Sequence, residues 1–160
     1  MPNTNVKSRW VSGNLVFYDK DENAILTLDG TNRALTVAGT LSSTSATAAL
    51  GYATGAGGAV TQITNASTGV TLSKPTGQIT TVALTTSAAA EEAFEVTNTL
   101  VDANDVIVVS TTYAGAGKPI VFVTNVGSSV FTINVTNVHA SAALDAVVVI
   151  NFAVIKGVAA

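Results

Sequence analysis

Apolar and polar residues alternate along much of the second half of the chain. In Val130-Phe131-Thr132-Ile133-Asn134-Val135, the residues Phe131, Ile133 and Val135 fall on one side of an extended backbone. Thr132 and Asn134 fall on the other. Phe94 and Val96 likewise oppose Glu95 and Thr97. A period of two marks strands with one face buried. The same pattern, punctuated by turn residues, predicts strands near residues 59–63, 69–72, 77–84, 93–98, 106–110, 120–125, 130–135 and 146–155. Asn125-Val126-Gly127-Ser128-Ser129 supplies a tight hairpin between two of them. Many short strands at turn-like spacing predict an all-β fold, a β-sandwich or jelly-roll-like domain.

The first 38 residues read as a separate N-terminal β-hairpin arm. One strand is expected over 10–18, strongest at Leu15-Val16-Phe17-Tyr18, and a returning strand over 24–28. The polar cluster Asp19-Lys20-Asp21-Glu22-Asn23 is the turn between them. Asp29-Gly30 is a second turn and residues 35–37 a further short strand. A lone hairpin is marginal in water, so the arm must dock on something. Four of the seven Lys and Arg residues lie here, namely Lys7, Arg9, Lys20 and Arg33. Lys7, Arg9, Trp10, Phe17 and Tyr18 are therefore the expected attachment residues. Residues 39–58 are rich in Gly, Ser and Thr and read as a linker, with one helical turn expected at 46–50. The sandwich then covers 59–160.

The closing segment breaks the alternation. Val147 to Ile150 and Phe152 to Ile155 are apolar on both faces. Continuous apolar strands are usually buried on both sides. A sandwich core covers only one, so a subunit interface is expected at Val148, Ile150, Phe152 and Val154.

Composition sharpens this. The 160 residues are 48% hydrophobic and only 11% charged, with net charge −3. An average soluble domain carries about 25% charged residues. The apolar surplus is expected to be covered by sister subunits or by a surface of Ala, Thr, Ser and Gly. Val, Ile and Thr make up about a third of the chain, which favours pleated structure. No run of about 20 apolar residues offers a membrane span, and the N-terminus shows no apolar signal-peptide core. There is no cysteine for disulfides or thiolate metal sites. No basic block points to nucleic acid.

Motifs that could carry chemistry fail on their own terms. Residues 19–30 begin like a calcium loop, but Ala24 and Gly30 stand where Gly and Glu are required. Gly115-Ala116-Gly117-Lys118-Pro119 lacks the first glycine and the terminal Ser or Thr of a phosphate loop. His139 is the only histidine. A triad with Asp145 can be written, but no serine sits in a nucleophile elbow. Glu91 and Glu95 share one face of a strand while Glu92 points away. Asn65-Ala66-Ser67 and Asn134-Val135-Thr136 fit the glycosylation pattern and carry no weight without a secretion signal. The expectation is a protein without an enzymatic site, cofactor or metal.

Three segments carry a resemblance. Residues 51–62 (Gly51-Tyr52-Ala53-Thr54-Gly55-Ala56-Gly57-Gly58 and onward), residues 67–80 (Ser67-Thr68-Gly69-Val70 through Thr80) and residues 149–157 (Val149-Ile150-Asn151-Phe152 through Gly157) resemble a domain found repeatedly in tailed-bacteriophage virion proteins. The resemblance covers roughly 51–157. That domain ends several kinds of phage structural protein, including head-decoration and fibre-like proteins. It implies a virion component. Together with the compact size, it implies a homotrimeric capsid decoration (cement) protein. Such a protein is made in the bacterial cytoplasm, binds the major capsid protein and lies on the capsid surface. Nucleic acid and membrane are not expected partners. A tail-fibre or spike component stays open as an alternative. So does a carbohydrate-binding adhesion module, for which Tyr52 and Tyr113 are the candidate aromatics outside the arm.

Overall fold

A computed structural model describes residues 7–42 and 50–159. The chain is all-β, with no helix among the described residues. It divides into two compact units, Met1–Gly51 and Tyr52–Ala160.

The first unit is a four-stranded antiparallel meander: β1 (Lys7–Val11), β2 (Asn14–Tyr18), β3 (Ala24–Asp29) and β4 (Ala34–Val37), in that order. The single strand expected over 10–18 is instead a hairpin. Ser12 and Gly13 both take positive φ, at 50° and 85°. A two-residue loop with both φ values positive is the type I′ turn, whose twist matches that of antiparallel strands. The next turn is organised by Asp19. Its Oδ1 accepts the Asp21 and Asn23 amides at 2.9 Å each, and its Oδ2 accepts Asn23 Nδ2 at 3.0 Å. Asp29 repeats the device, accepting the Thr31 and Asn32 amides. These bonds hold both carboxyls below the usual carboxylate range. The arm is thus a small sheet rather than one hairpin. The helical turn expected at 46–50 falls outside the described residues except for Leu50.

The second unit is a sandwich of two four-stranded sheets. The first holds β5 (Gly57–Thr61), β7 (Thr76–Thr80), β12 (Val148–Ile155) and β9 (Val106–Tyr113), in that spatial order. The second holds β10 (Pro119–Gly127), β11 (Val130–Asn137), β8 (Glu91–Thr97) and β6 (Val70–Thr71). We call these the β12 sheet and the β11 sheet. Each has one parallel pair, β5 with β7 and β6 with β8; the other pairings are antiparallel. All eight strands expected after residue 58 are present, with shifted ends. Strand β5 begins at Gly57, so the last two glycines assigned to the linker belong to the sheet.

Between the sheets lies a single core. Phe94 and Val96 of β8 and Phe131, Ile133 and Val135 of β11 meet Ile79 of β7 and the inner residues of β12. Phe131 and Phe152 touch across the gap, with ring centroids 5.4 Å apart and planes inclined at 59°. Such a tilted pair adds about 0.5–1.5 kcal/mol beyond the area it buries. Strand β12 departs from expectation. Val148, Ile150, Phe152 and Val154 are each no more than 2% exposed and form part of this core. They are not a subunit interface, because strict alternation turns all four inward together. The outward set is Val149, Asn151, Ala153 and Ile155. Asn134 also departs, being buried on the outer side of β11 under bonds from Thr124 and to Glu91.

The glycines of the opening block have a packing role here. Gly58 of β5 and Gly77 of β7 are directly paired. Together they leave a notch on the inner face that receives Leu72 and the edge of the Phe152 ring. A Cβ on Gly77 would lie 2.6 Å from Leu72 Cδ2 and 2.8 Å from Phe152 Cε1. Gly77→Ala is therefore expected to destabilise the chain by about 1–3 kcal/mol in urea denaturation. Gly51→Ala, whose Cβ would meet nothing within 4 Å, should leave the transition in place.

Candidate functional site

The strand registers of the N-terminal sheet decide what each of its faces presents. Trp10 pairs with Leu15, Ser8 with Phe17, Phe17 with Leu26 and Leu15 with Leu28. Leu26 in turn pairs with Val37 and Leu28 with Leu35. Directly opposed residues share a face. One face therefore carries Trp10, Leu15, Phe17, Leu26, Leu28, Leu35 and Val37 across all four strands. Trp10 is 73% exposed, and Leu28 and Leu35 are exposed as well. Beside them, an open depression is lined by Trp10, Leu15, Leu28, Asp29, Arg33 and Leu35. The only buried side chain among the described residues of this unit is Val16.

The opposite face carries the charge. Lys7 Nζ donates to Glu22 Oε1 at 2.9 Å, and Arg9 Nη1 lies 3.6 Å from Glu22 Oε2. The Arg9 guanidinium sits 4.4 Å from the centroid of the Tyr18 ring, a cation–π contact. The hydrogen bond from Lys7, helped by both cations, holds the Glu22 carboxyl below its usual range. The five expected attachment residues are thus split. Lys7, Arg9 and Tyr18 are on one face, engaged with each other and Glu22, while Trp10 and Phe17 are on the other. The leucines and Val37 that complete the apolar face were missed. Their signal was present in the pairs Leu15/Phe17, Leu26/Leu28 and Leu35/Val37, each two residues apart. Reading 10–18 as one strand hid it, because position 10 then shares a face with 18 and not with 17.

In the sandwich, polar side chains are committed to holding loops. Asn137, fully buried, donates from Nδ2 to the carbonyls of Thr86, Ser87 and Ala142. Its Oδ1 accepts the Lys118 and His139 amides, both at 3.1 Å. His139 Nδ1 accepts the amides of Ser141 and Ala142. Asp145 Oδ1 accepts the Ala116 amide at 2.6 Å and the Tyr113 hydroxyl at 3.3 Å. His139 is occupied within its own loop, and Asp145 ties the loop before β12 to the loop after β9. Glu91 accepts from Thr136 Oγ1 and Asn134 Nδ2, which keep its carboxyl below the usual range. Gln62 Oε1 and Thr86 Oγ1 are buried without a hydrogen-bond partner among the described residues. No group of three His, Cys, Asp or Glu side chains is placed to hold a metal ion among the described residues. No described helix is long and apolar enough to cross a membrane.

The tyrosines considered as glycan platforms are both tethered. The Tyr52 hydroxyl donates to the Val154 carbonyl, and that of Tyr113 donates to the Ala116 carbonyl. No family model, curated protein or solved structure matches this chain.

The end of β12 is fixed by an ionic knot. Asp105, its side chain sealed from solvent, accepts Lys156 Nζ at 2.7 Å, the Asp102 amide at 2.8 Å and the Gly157 amide at 3.0 Å. The lysine first, then the amides, lower its carboxyl to about 2. The folded value lies below the unfolded one, so the carboxylate stabilises the fold at neutral pH. That contribution fades as pH falls from about 4 through about 2. Asp105→Asn is expected to lower the melting temperature at pH 7. It should also flatten the pH dependence of the circular-dichroism melt across that acid window.

Proposed function

We propose that this chain is a structural protein of a tailed-bacteriophage virion, a homotrimeric capsid decoration protein. In this reading it binds the major capsid protein through its N-terminal sheet, self-associates through its sandwich, and performs no catalysis. It is made in the host cytoplasm and resides on the capsid surface, with no nucleic acid or membrane as partner.

One observation carries the reading: the N-terminal unit is a single-layer sheet with an apolar face and almost no core. Sheets reach stability by burying an apolar face against another layer. A surface Trp beside exposed leucines is the composition of an interface centre. A separate module of this kind beside a self-sufficient sandwich fits attachment to a larger scaffold. The resemblance to phage virion domains supports the same reading. The three segments that carry it, residues 51–62, 67–80 and 149–157, contain β5, β7 and most of β12, neighbours in one sheet, and β6 of the other. Two of their seven glycines, Gly58 and Gly77, form the notch for Leu72 and Phe152.

The test is co-sedimentation of the full chain with purified phage heads and, separately, with tails. The native chain should pellet with heads. Trp10→Ser combined with Leu35→Ser should weaken binding by roughly tenfold or more, since buried interface aromatics commonly contribute 2 kcal/mol or more. Asp105 and Asn137 lie outside that unit, so the sandwich's melting transition should be unchanged. Binding to tails but not heads would identify a fibre or spike component and reject the decoration role.

A further inference from the structure

We propose that a second copy of this chain docks on the outer face of the β12 sheet, along strand β9. The inference rests on the self-association part of the reading above and replaces the interface that sequence periodicity placed on the inner residues of β12.

The first observation is the absence of charge. The register of the four strands places fourteen residues on this outer face, three each from β5 and β7 and four each from β12 and β9. All are Thr, Ser, Ala, Gly, Gln, Asn, Val or Ile. A surface built for solubility carries roughly a quarter to a third charged residues, which is about four or five of fourteen. The outer face of the β11 sheet does carry them, at Glu91 and Glu95. Toward β9 the uncharged face also becomes apolar. Val106 is opposite Ile155 and Val108 opposite Ala153, and Val106, Val108 and Ile155 are 55%, 49% and 54% exposed.

The second observation is the edge itself. Among the described residues, strand β9 is hydrogen-bonded only to β12; β10 of the facing sheet runs near it without a ladder. The eight residues of β9, VIVVSTTY, contain no charge, proline or glycine, and its pairing shows no bulge. Edge strands normally carry a charge, a proline or a bulge, or are very short, which prevents further pairing. Two other edges of the sandwich do: β10 starts at Pro119 and is bulged between Val123 and Asn125, and β6 has two residues.

Charge decides the occupant. The chain has net charge −3, so two copies repel least where neither presents a carboxylate. A charged partner would bury its ions against a face that offers no counter-charge, at several kcal/mol each. A second copy brings hydroxyls and the Gln78 and Asn151 amides, groups that both donate and accept. The face spans roughly 19 Å across four strands by about 17–27 Å along them. Two such faces together bury roughly 650–1,000 Å², below standard-size specific interfaces and in the range of weak, transient ones, so association is expected to be weak and concentration-dependent.

Sedimentation velocity of the full chain, from about 1 to 200 µM, tests this against the concentrations such an interface requires. The native chain should shift from monomer to a larger species with concentration. Val108→Lys combined with Ile155→Lys should stay monomeric or assemble at least roughly tenfold more weakly. Both side chains are about half exposed, and an unchanged thermal melt confirms the fold. Trp10→Ser should assemble like the native chain. A native chain that stays monomeric throughout overturns the inference together with self-association. Native-like assembly of the lysine variant, or assembly lost only in Trp10→Ser, overturns this surface while leaving self-association standing. Head binding, measured separately by co-sedimentation, reports on the attachment reading alone.

Discussion

The contact of Phe131 with Phe152 is the constraint on which the sandwich depends. One ring comes from β11 and the other from β12, and they meet at 5.4 Å between centroids. Once these two point inward, the pleat fixes the facing of every other residue on both strands. Ile133 and Val135 follow Phe131 into the core; Val148, Ile150 and Val154 follow Phe152. Slipping either strand by one residue would expose its whole apolar set. The paired glycines Gly58 and Gly77 extend the same logic to the sheet edge, where small residues make room for Leu72 and the Phe152 ring.

With strands so constrained, the loops need fastening of another kind. Buried amides and carboxylates provide it. Asn137 uses its whole amide to join three loop segments. Asn98, also fully buried, donates to the Lys74 carbonyl and accepts the Leu100 amide. Asp105 does the same for the end of β12 with Lys156 and Gly157. A buried polar group without partners costs about 1–3 kcal/mol. These groups therefore allow few other loop paths.

The two units divide charge and apolar surface differently. The N-terminal sheet places Lys7, Arg9 and Glu22 on one face and its Trp and leucines on the other, with little of its own to bury. The sandwich is self-sufficient, with an acidic outer face on one sheet and an uncharged one on the other. A low-charge chain organised in this way concentrates its exposed apolar side chains on the N-terminal sheet and along β9. The polar groups of this sandwich converge on backbone amides and carbonyls.

Much of this fold was written in the sequence. Alternation at 93–97 and 130–135, and turn residues between strands, placed all eight sandwich strands, because one-sided burial imposes a period of two. The Asp19 and Asp29 turns were equally legible from local composition. The Ser12-Gly13 turn was not read, and that single omission scrambled the faces of the N-terminal sheet, since pairing parity changes at every turn. Strand β12 misled for a related reason: when both faces are apolar, periodicity cannot say which meets the core. Only strand pairing and the Phe131 ring across the gap decided it. The uncharged face of the β12 sheet was invisible for the same cause, being assembled from segments separated by up to about a hundred residues. Local chemistry fixed which segments would pleat; long-range packing determined which side of each would remain in water.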